Sequence, residues 1–248
     1  MPHLILSDIH ANLEALEAVL EDAEGQYDRI QCLGDLVGYG ADPNAIVDWA
    51  RDNLDEIIRG NHDKDCSGND SLEHYRPLAI ASALWTRAAL TKASRDYLGS
   101  LARGPLRYGG YDLVHGSPAD EDEYLLGPHD ALRMALYLGS QVTFFGHTHV
   151  QGGFLLARGG VKMARGGVKT IATGPGTLEL EPDYFYLVNP GAVGQPRDGD
   201  PRAAYALYWP DEHRVEYRRV EYDIAKAAGK VRNAGLPDPL VHRLFVGM

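Results

Sequence analysis

The stretch Ile57-Ile58-Arg59-Gly60-Asn61-His62-Asp63 sets two β-branched apolar residues ahead of a glycine, an amide, an imidazole and a carboxylate. This is the pattern of a buried strand that delivers polar groups at its carboxyl end. In isolation it equally describes a plain strand-to-turn junction, because Gly, Asn and Asp are turn residues. The neighbouring sequence decides. Residues 3–7 read as a short buried strand running into Asp8-Ile9-His10-Ala11-Asn12, and residues 27–33 as a second strand ending in Gly34-Asp35. A helix follows each: Leu13, Leu16 and Leu20 recur at helical spacing, and Asp42-Pro43 is an N-cap and first residue ahead of Ile46, Val47, Trp49 and Ala50. Three successive strand–loop–helix units predict a parallel sheet with helices on its faces. Ligands of such a sheet belong at the carboxyl ends, where Asp8, His10, Asp35 and Asn61 fall.

From 64 to 103 the pattern changes to two helices, the first with Leu78, Ala81, Trp85 and Ala88 on one face, the second around Tyr97, Leu98 and Leu101. An insertion beside the site is expected there. Residues 111–114 form a strand leading to His115-Gly116-Ser117. Pro128 opens a helix through Leu138, and residues 141–145 form a strand leading to Gly146-His147-Thr148-His149. Beyond Val150, short runs at 154–156, 168–173, 184–188, 203–209 and 214–220 predict a second, mostly antiparallel sheet. A helical segment over 224–248 closes the chain, with Pro237 and Pro239 interrupting it. No linker stands out, so residues 1–248 are expected to form one domain. The run Ala157-Arg158-Gly159-Gly160-Val161-Lys162 recurs seven residues later at 164–169, which predicts a hairpin or loop with outward cations, a phosphate-holding lip being the alternative.

The chain has 248 residues, with Lys+Arg 24 against Asp+Glu 35 and a formal net charge of −11. That field repels long polyanions, so neither extended nucleic acid nor an anionic membrane is an expected partner; a small phosphate-bearing ligand remains compatible where metal charge inverts the local field. Cys32 and Cys66 do not make a disulfide framework and are expected as thiols. The opening residues carry no leader pattern and no run approaches membrane-spanning length, which together predict a cytoplasmic protein.

Five pieces share one context: Asp8-x-His10, Gly34-Asp35, Gly60-Asn61-His62-Asp63, His115 and Gly146-His147-x-His149 each follow an apolar strand. Imidazoles and carboxylates without thiolates suit borderline divalent ions such as Mn, Fe, Ni or Zn rather than Ca or Mg alone. Seven ligands are too many for one ordinary site. They suit two adjacent ions bridged by a carboxylate, the usual apparatus of phosphoryl hydrolysis.

In these motifs and their order the sequence resembles the calcineurin-like metallophosphoesterases, and the segment Asn189-Pro190-Gly191-Ala192-Val193-Gly194-Gln195-Pro196-Arg197 resembles the small bacterial phosphodiesterase-type members, apart from Ala192 where many carry serine. The resemblance implies an α/β (by some schemes α+β) four-layer αββα sandwich of two mixed sheets flanked by helices. It implies that Asp8, His10 and His149 hold one metal, Asn61, His115 and His147 a second, and that Asp35 bridges. Two divalent ions less two carboxylates and a bridging hydroxide leave the site positive, and that hydroxide is the expected nucleophile on a small phosphodiester or nucleotide-like substrate. The motif position of His62 suits a general acid, with Asp63 orienting the imidazole and favouring its protonated form. The alternatives are a phosphomonoesterase or protein phosphatase, a dinucleoside polyphosphate hydrolase, and a non-catalytic scaffold of the same fold. Arg59, Arg76 and Arg197 are candidate phosphate clamps. Tyr39 and Trp85 are candidate stacking platforms for a nucleobase, Trp85 being placed on an apolar helix face. The remaining histidines, His3, His74, His129, His213 and His242, are expected at the surface.

Overall fold

The structure, a computed structural model, describes residues 1–68, 72, 76–158 and 167–248. Strand β1 (His3–Leu6) has three fully buried residues in a row. Alternation divides them: Leu4 and Leu6 enter one core and Ile5 another, as expected for a strand covered on both faces. Parallel to it lies β2 (Arg29–Cys32), and beyond that β3 (Glu56–Ile57). Between them run α1 (Leu13–Asp22), capped by the Asn12 side chain accepting from Ala15 N at 3.2 Å, and α2 (Pro43–Asn53). Asp42 starts α2 without bonding its amides; its carboxylate takes the Lys230 ammonium at 2.8 Å instead.

The motif that follows β3 is itself helical, α3 (Asn61–Cys66), and leads to α4 (Pro77–Ala89) and α5 (Lys92–Ser100). Both longer helices pack towards α3, and Ala83, Leu90 and Leu98 join the core beneath α1 and α2. Next come β4 (Leu106–Tyr108), β5 (Tyr111–Leu113) and α6 (Pro128–Arg133), the last running into one 3-10 turn at Met134–Leu136. The remaining elements are β6 (Val142–Phe144), β7 (Gly152–Ala157), β8 (Val168–Ile171), β9 (Gly176–Glu179), β10 (Tyr184–Asn189), β11 (Ala203–Trp209), β12 (Arg214–Val220), α7 (Ile224–Asn233) and α8 (Asp238–Val246). The helical tail is interrupted between α7 and α8, as expected; Pro237 caps α8, and Pro239 lies in its first turn, where a missing N–H costs nothing.

Among the described residues the strands form two mixed sheets of six, ordered β3-β2-β1-β11-β12-β9 and β4-β5-β6-β10-β7-β8. Flanked by helices, they make the expected α/β sandwich. The sheets do not divide by chain halves, however. β11 comes back to pair antiparallel with β1, while β5 and β6 belong to the second sheet, where β10 joins β6 in parallel. Ile5, Leu33, Phe144, Val188, Ala206 and Val215 fill the layer between the sheets. His3, expected at the surface, is half-buried and its Nδ1 lies 2.7 Å from the Tyr111 hydroxyl. The doubled glycine-rich run falls at the β7–β8 connection; these strands pair antiparallel, and residues 159–166 of the repeat, like His74, lie outside the described residues. Among the described residues no helix is long and apolar enough to cross a membrane.

One buried amide ties the two sheets together. Gln151 Nε2 lies 3.0 Å from Pro190 O, 3.3 Å from Tyr205 O and 3.0 Å from Arg218 O, while its oxygen accepts from Arg219 Nε at 3.0 Å. Arg219 also pairs with Asp198, both side chains being buried. Gln151→Leu keeps the bulk and strands these groups, so unfolding free energy should fall by about 2–3 kcal/mol. A lower urea midpoint at constant m-value is the expected signature.

Candidate metal centre

Strand register brings the motifs to one edge. Leu6 stands opposite Cys32 and Cys32 opposite Ile57, so these three strands end flush; in the second sheet Leu113 stands opposite Phe144. The loops beyond are stitched by backbone bonds, Asp8 N to Gly34 O at 3.0 Å, His10 N to Asp35 O at 3.0 Å and Gly146 N to His115 O at 2.8 Å. His147 N joins the two edges by donating to the Asp8 carboxylate at 3.2 and 3.3 Å. Five of the seven candidate ligands, Asp8, His10, Asp35, His147 and His149, have φ between 47° and 63°, the left-handed region that side chains rarely adopt. Strain of this kind persists where the surroundings enforce it and gathers at functional sites. Gly60 is required for the same packing, since a Cβ there would fall on the Asp35 carboxylate.

The imidazoles are fixed by their Nδ1 atoms. His10 Nδ1 lies 2.9 Å from Val37 O, His115 Nδ1 2.8 Å from Leu33 O and His149 Nδ1 2.6 Å from Gln195 O. A carbonyl only accepts, so each Nδ1 carries a proton, and Nε2 is the atom that offers a lone pair when the ring is neutral. These lone pairs converge on other acceptors. His10 and His149 Nε2 are 3.1 Å apart, His149 Nε2 is 3.3 Å from Asp8 Oδ1, and His10 Nε2 is 3.6 Å from Asp35 Oδ2. His115 Nε2 is 3.4 Å from Asp35 Oδ2 and 3.1 Å from Asn61 Oδ1. Among the described residues, Asp35 Oδ2 and His147 Nε2 are buried without a hydrogen-bond partner. Acceptors facing acceptors in a dry space need a cation between them.

The ligand atoms form two groups, Asp8, His10, Asp35 and His149, and Asp35, His115 and His147, with the atoms of each within 4.8 Å of one another. Asp35 belongs to both. The side-chain oxygen of Asn61 adds a donor to the second group. The residues therefore fit divalent metal ions.

Electrostatics agree with the geometry. Burial lowers His10 and His149 well below the ordinary histidine value and takes His147 down to about 3, which keeps these rings neutral as a metal requires. Burial pushes Asp8 up to about 6. His115 is the exception: burial opposes its charge, but the Asp35 carboxylate overcomes that and raises it to about 10, while Asp35 is held low by the same pairing. In the metal-free chain a proton on His115 thus supplies part of the positive charge the site calls for.

Three expectations need correction. Asp63 does not aim at His62; its oxygens accept from Asp35 N and Leu36 N, both at 2.8 Å, and from Gly60 N at 3.0 Å. The last bond places Asp63 three residues after the Gly60 cap of α3, a capping signal present in the sequence. Arg59 is bidentate on Glu121 at 2.8 and 3.0 Å, a structural tie rather than a substrate clamp. Tyr39 is buried, its ring 4.7 Å from that of His10 and 4.5 Å from that of His62, so it is no open platform for a base. Arg76 lies exposed at the N-cap of α4. Arg197 does face the centre, with its Cζ 5.6 Å from the Tyr39 ring centroid and Nη2 3.3 Å from Gln195 Oε1. Trp85 packs in the apolar cluster under α7 and α8. Tyr124, whose ring lies 3.8 Å from that of His147, had no signal in the sequence.

Comparison with known proteins converges on one family. The model described as calcineurin-like phosphoesterase superfamily domain matches residues 1–212. A curated protein of Methanocaldococcus jannaschii, named uncharacterized protein MJ0912, is 36% identical over 258 residues, covering 98% of this chain and 97% of its own. A crystal structure of a metallophosphoesterase from Sphaerobacter thermophilus shares 40% identity with a TM-score of 0.87, covering 100% of this chain and 99% of the other. The hypothetical protein PH1004 from Pyrococcus horikoshii OT3, 19% identical, has the same fold with a TM-score of 0.79 and covers 100% and 98%.

The Asp63 geometry makes a separate prediction. Asp63→Asn sets an NH2 group against amide donors, and should cost about 1–3 kcal/mol of stability. Through the misplaced Asp35 it should also weaken Mn2+ binding by about 10–100-fold in a calorimetric titration. Unchanged stability and affinity would show that Asp63 acts elsewhere.

Proposed function

Because this chain belongs to the calcineurin-like phosphoesterase superfamily, we propose that it hydrolyses a small phosphodiester or nucleotide-like substrate at a centre for two divalent ions. Asp8, His10 and His149 would hold one ion, Asn61, His115 and His147 the other, and Asp35 both. The observation that carries the proposal is the convergence of buried Nε2 atoms and carboxylate oxygens with Asp35 common to both groups. Ions such as Mn, Fe, Ni or Zn suit this donor set and, when bound, supply Lewis-acid activation of water and neutralise charge on phosphoryl oxygens.

The chain's own residues do the remainder. Val37 O, Leu33 O and Gln195 O hold three imidazoles with Nδ1 protonated and Nε2 turned to the site, and His115 would release its second proton on binding. His62 is buried with its ring 5.0 Å from that of His10, which supports reading it as the group that protonates a leaving alkoxide. Burial lowers its pKa to about 4 in the metal-free chain, so the ring must gain a proton in the loaded site before it can act as the acid. Arg197 faces the same space and matches a phosphoryl group in charge and shape. A diester is favoured because it carries one negative charge per phosphorus where a monoester carries up to two, and of the three candidate arginines Arg197 alone is directed at the centre. The buried free thiols Cys32 and Cys66 accord with a cytoplasmic setting.

The test is metal analysis of the purified protein with turnover of a bis-aryl against a mono-aryl phosphate, before and after chelation. Diester turnover should vanish on chelation and return with Mn2+. Absence of both metal uptake and turnover would sink the proposal, and preference for the monoester would turn it to a phosphomonoesterase. His62→Asn should retain metal and slow alkyl leaving groups by about 10²–10⁴-fold, with much less effect on nitrophenolate. Equal slowing of the two would remove His62 from the role of acid.

A further inference from the structure

The loop Gly38-Tyr39-Gly40 carries a bulky side chain at φ 61°, a conformation that needs external support. Support comes from several elements. The Tyr39 amide donates to Ser82 Oγ of α4 at 2.6 Å, and Gly40 N donates to His10 O at 3.1 Å. The Tyr39 ring joins a cluster with Ala79 of α4, Ala227 and Val231 of α7, and Leu240 and Leu244 of α8. Helices α7 and α8 follow residue 212, where the match to the family model ends, so this wall is built by a part of the chain outside that match.

The supported side chain ends at His62. Tyr39 Oη lies 3.1 Å from His62 Nε2, and the two rings lie at 56° with centroids 4.5 Å apart. On the far side of the imidazole stands Gly38, where a Cβ would come within 2.5 Å of His62 Nδ1. Arg197 approaches the same ring, its Cζ 5.6 Å from the ring centroid.

We propose that Tyr39, held in its strained conformation by α4, α7 and α8, is the positioning residue of His62 and takes the place that Asp63 does not fill. A hydroxyl both donates and accepts, so it can keep its bond to Nε2 whether or not that nitrogen carries a proton. A carboxylate in the same place would favour the imidazolium alone. The inference rests on the reading of His62 as the proton donor of a phosphoesterase.

The experiment uses the full chain with Tyr39→Phe, which keeps the ring and removes the hydroxyl. Metal content should be unchanged. Turnover of a diester with an alkyl leaving group should fall about tenfold more than that of a nitrophenyl diester, and the same change on a His62→Asn background should add less than about twofold. In 15N-labelled metal-free protein the His62 Nε2 resonance should shift while those of His10 and His149 stay in place. Ser82→Ala, which removes the acceptor holding the Tyr39 amide, should move the readouts in the same direction. Equal slowing of both leaving groups, additivity with His62→Asn, or an unmoved Nε2 resonance would overturn the proposal. If His62→Asn itself leaves the leaving-group dependence unchanged, the proton-donor reading fails, and the Nε2 resonance still tests the contact with Tyr39.

Discussion

Three imidazoles donate their Nδ1 N–H groups to main-chain carbonyls in the segments that follow β2 and β10, and most features of the site follow from that. The bonds to Val37 O, Leu33 O and Gln195 O turn three Nε2 atoms towards two carboxylates among buried side chains. Such an arrangement stores electrostatic cost until a cation enters. The φ values of the ligand residues belong to the same constraint, because turning a side chain back over its own strand end forces the backbone into the left-handed region.

The supports for this arrangement come from far along the chain. Asp63 gathers the amides of Gly60, Asp35 and Leu36, so the third strand's loop braces the second strand's loop. The segment after β10 supplies Gln195 O to His149 and Arg197 to the mouth, and it is anchored by Asp198 pairing with Arg219 of β12. The helices α7 and α8 back the Tyr39 loop. In each case a group outside the cluster of candidate ligands sets the geometry of one within or beside it.

The motif residues were legible because each is a local event. An apolar run of four or five residues predicts a strand wherever it occurs, and Asp8, Asp35, Asn61, His115 and His147 stand just beyond such runs. The helix α3 was less legible, since Gly60 and Asp63 are both turn residues and cap residues, and only the spacing between them distinguishes the two. The short strands β4 and β9 have three and four residues and weak alternation, so they went unread.

By itself, then, the sequence determined which residues stand at strand ends and in what order, because the side-chain period of a strand and the breaking power of glycine are local properties. Tertiary structure alone decided the partners. Whether Asp63 meets an imidazole or three amides, whether Arg59 meets a phosphate or Glu121, and whether β11 lies beside β12 only or also beside β1 depend on how two twisted sheets and their helices pack. Those contacts link residues tens to hundreds of positions apart, and no local periodicity records them.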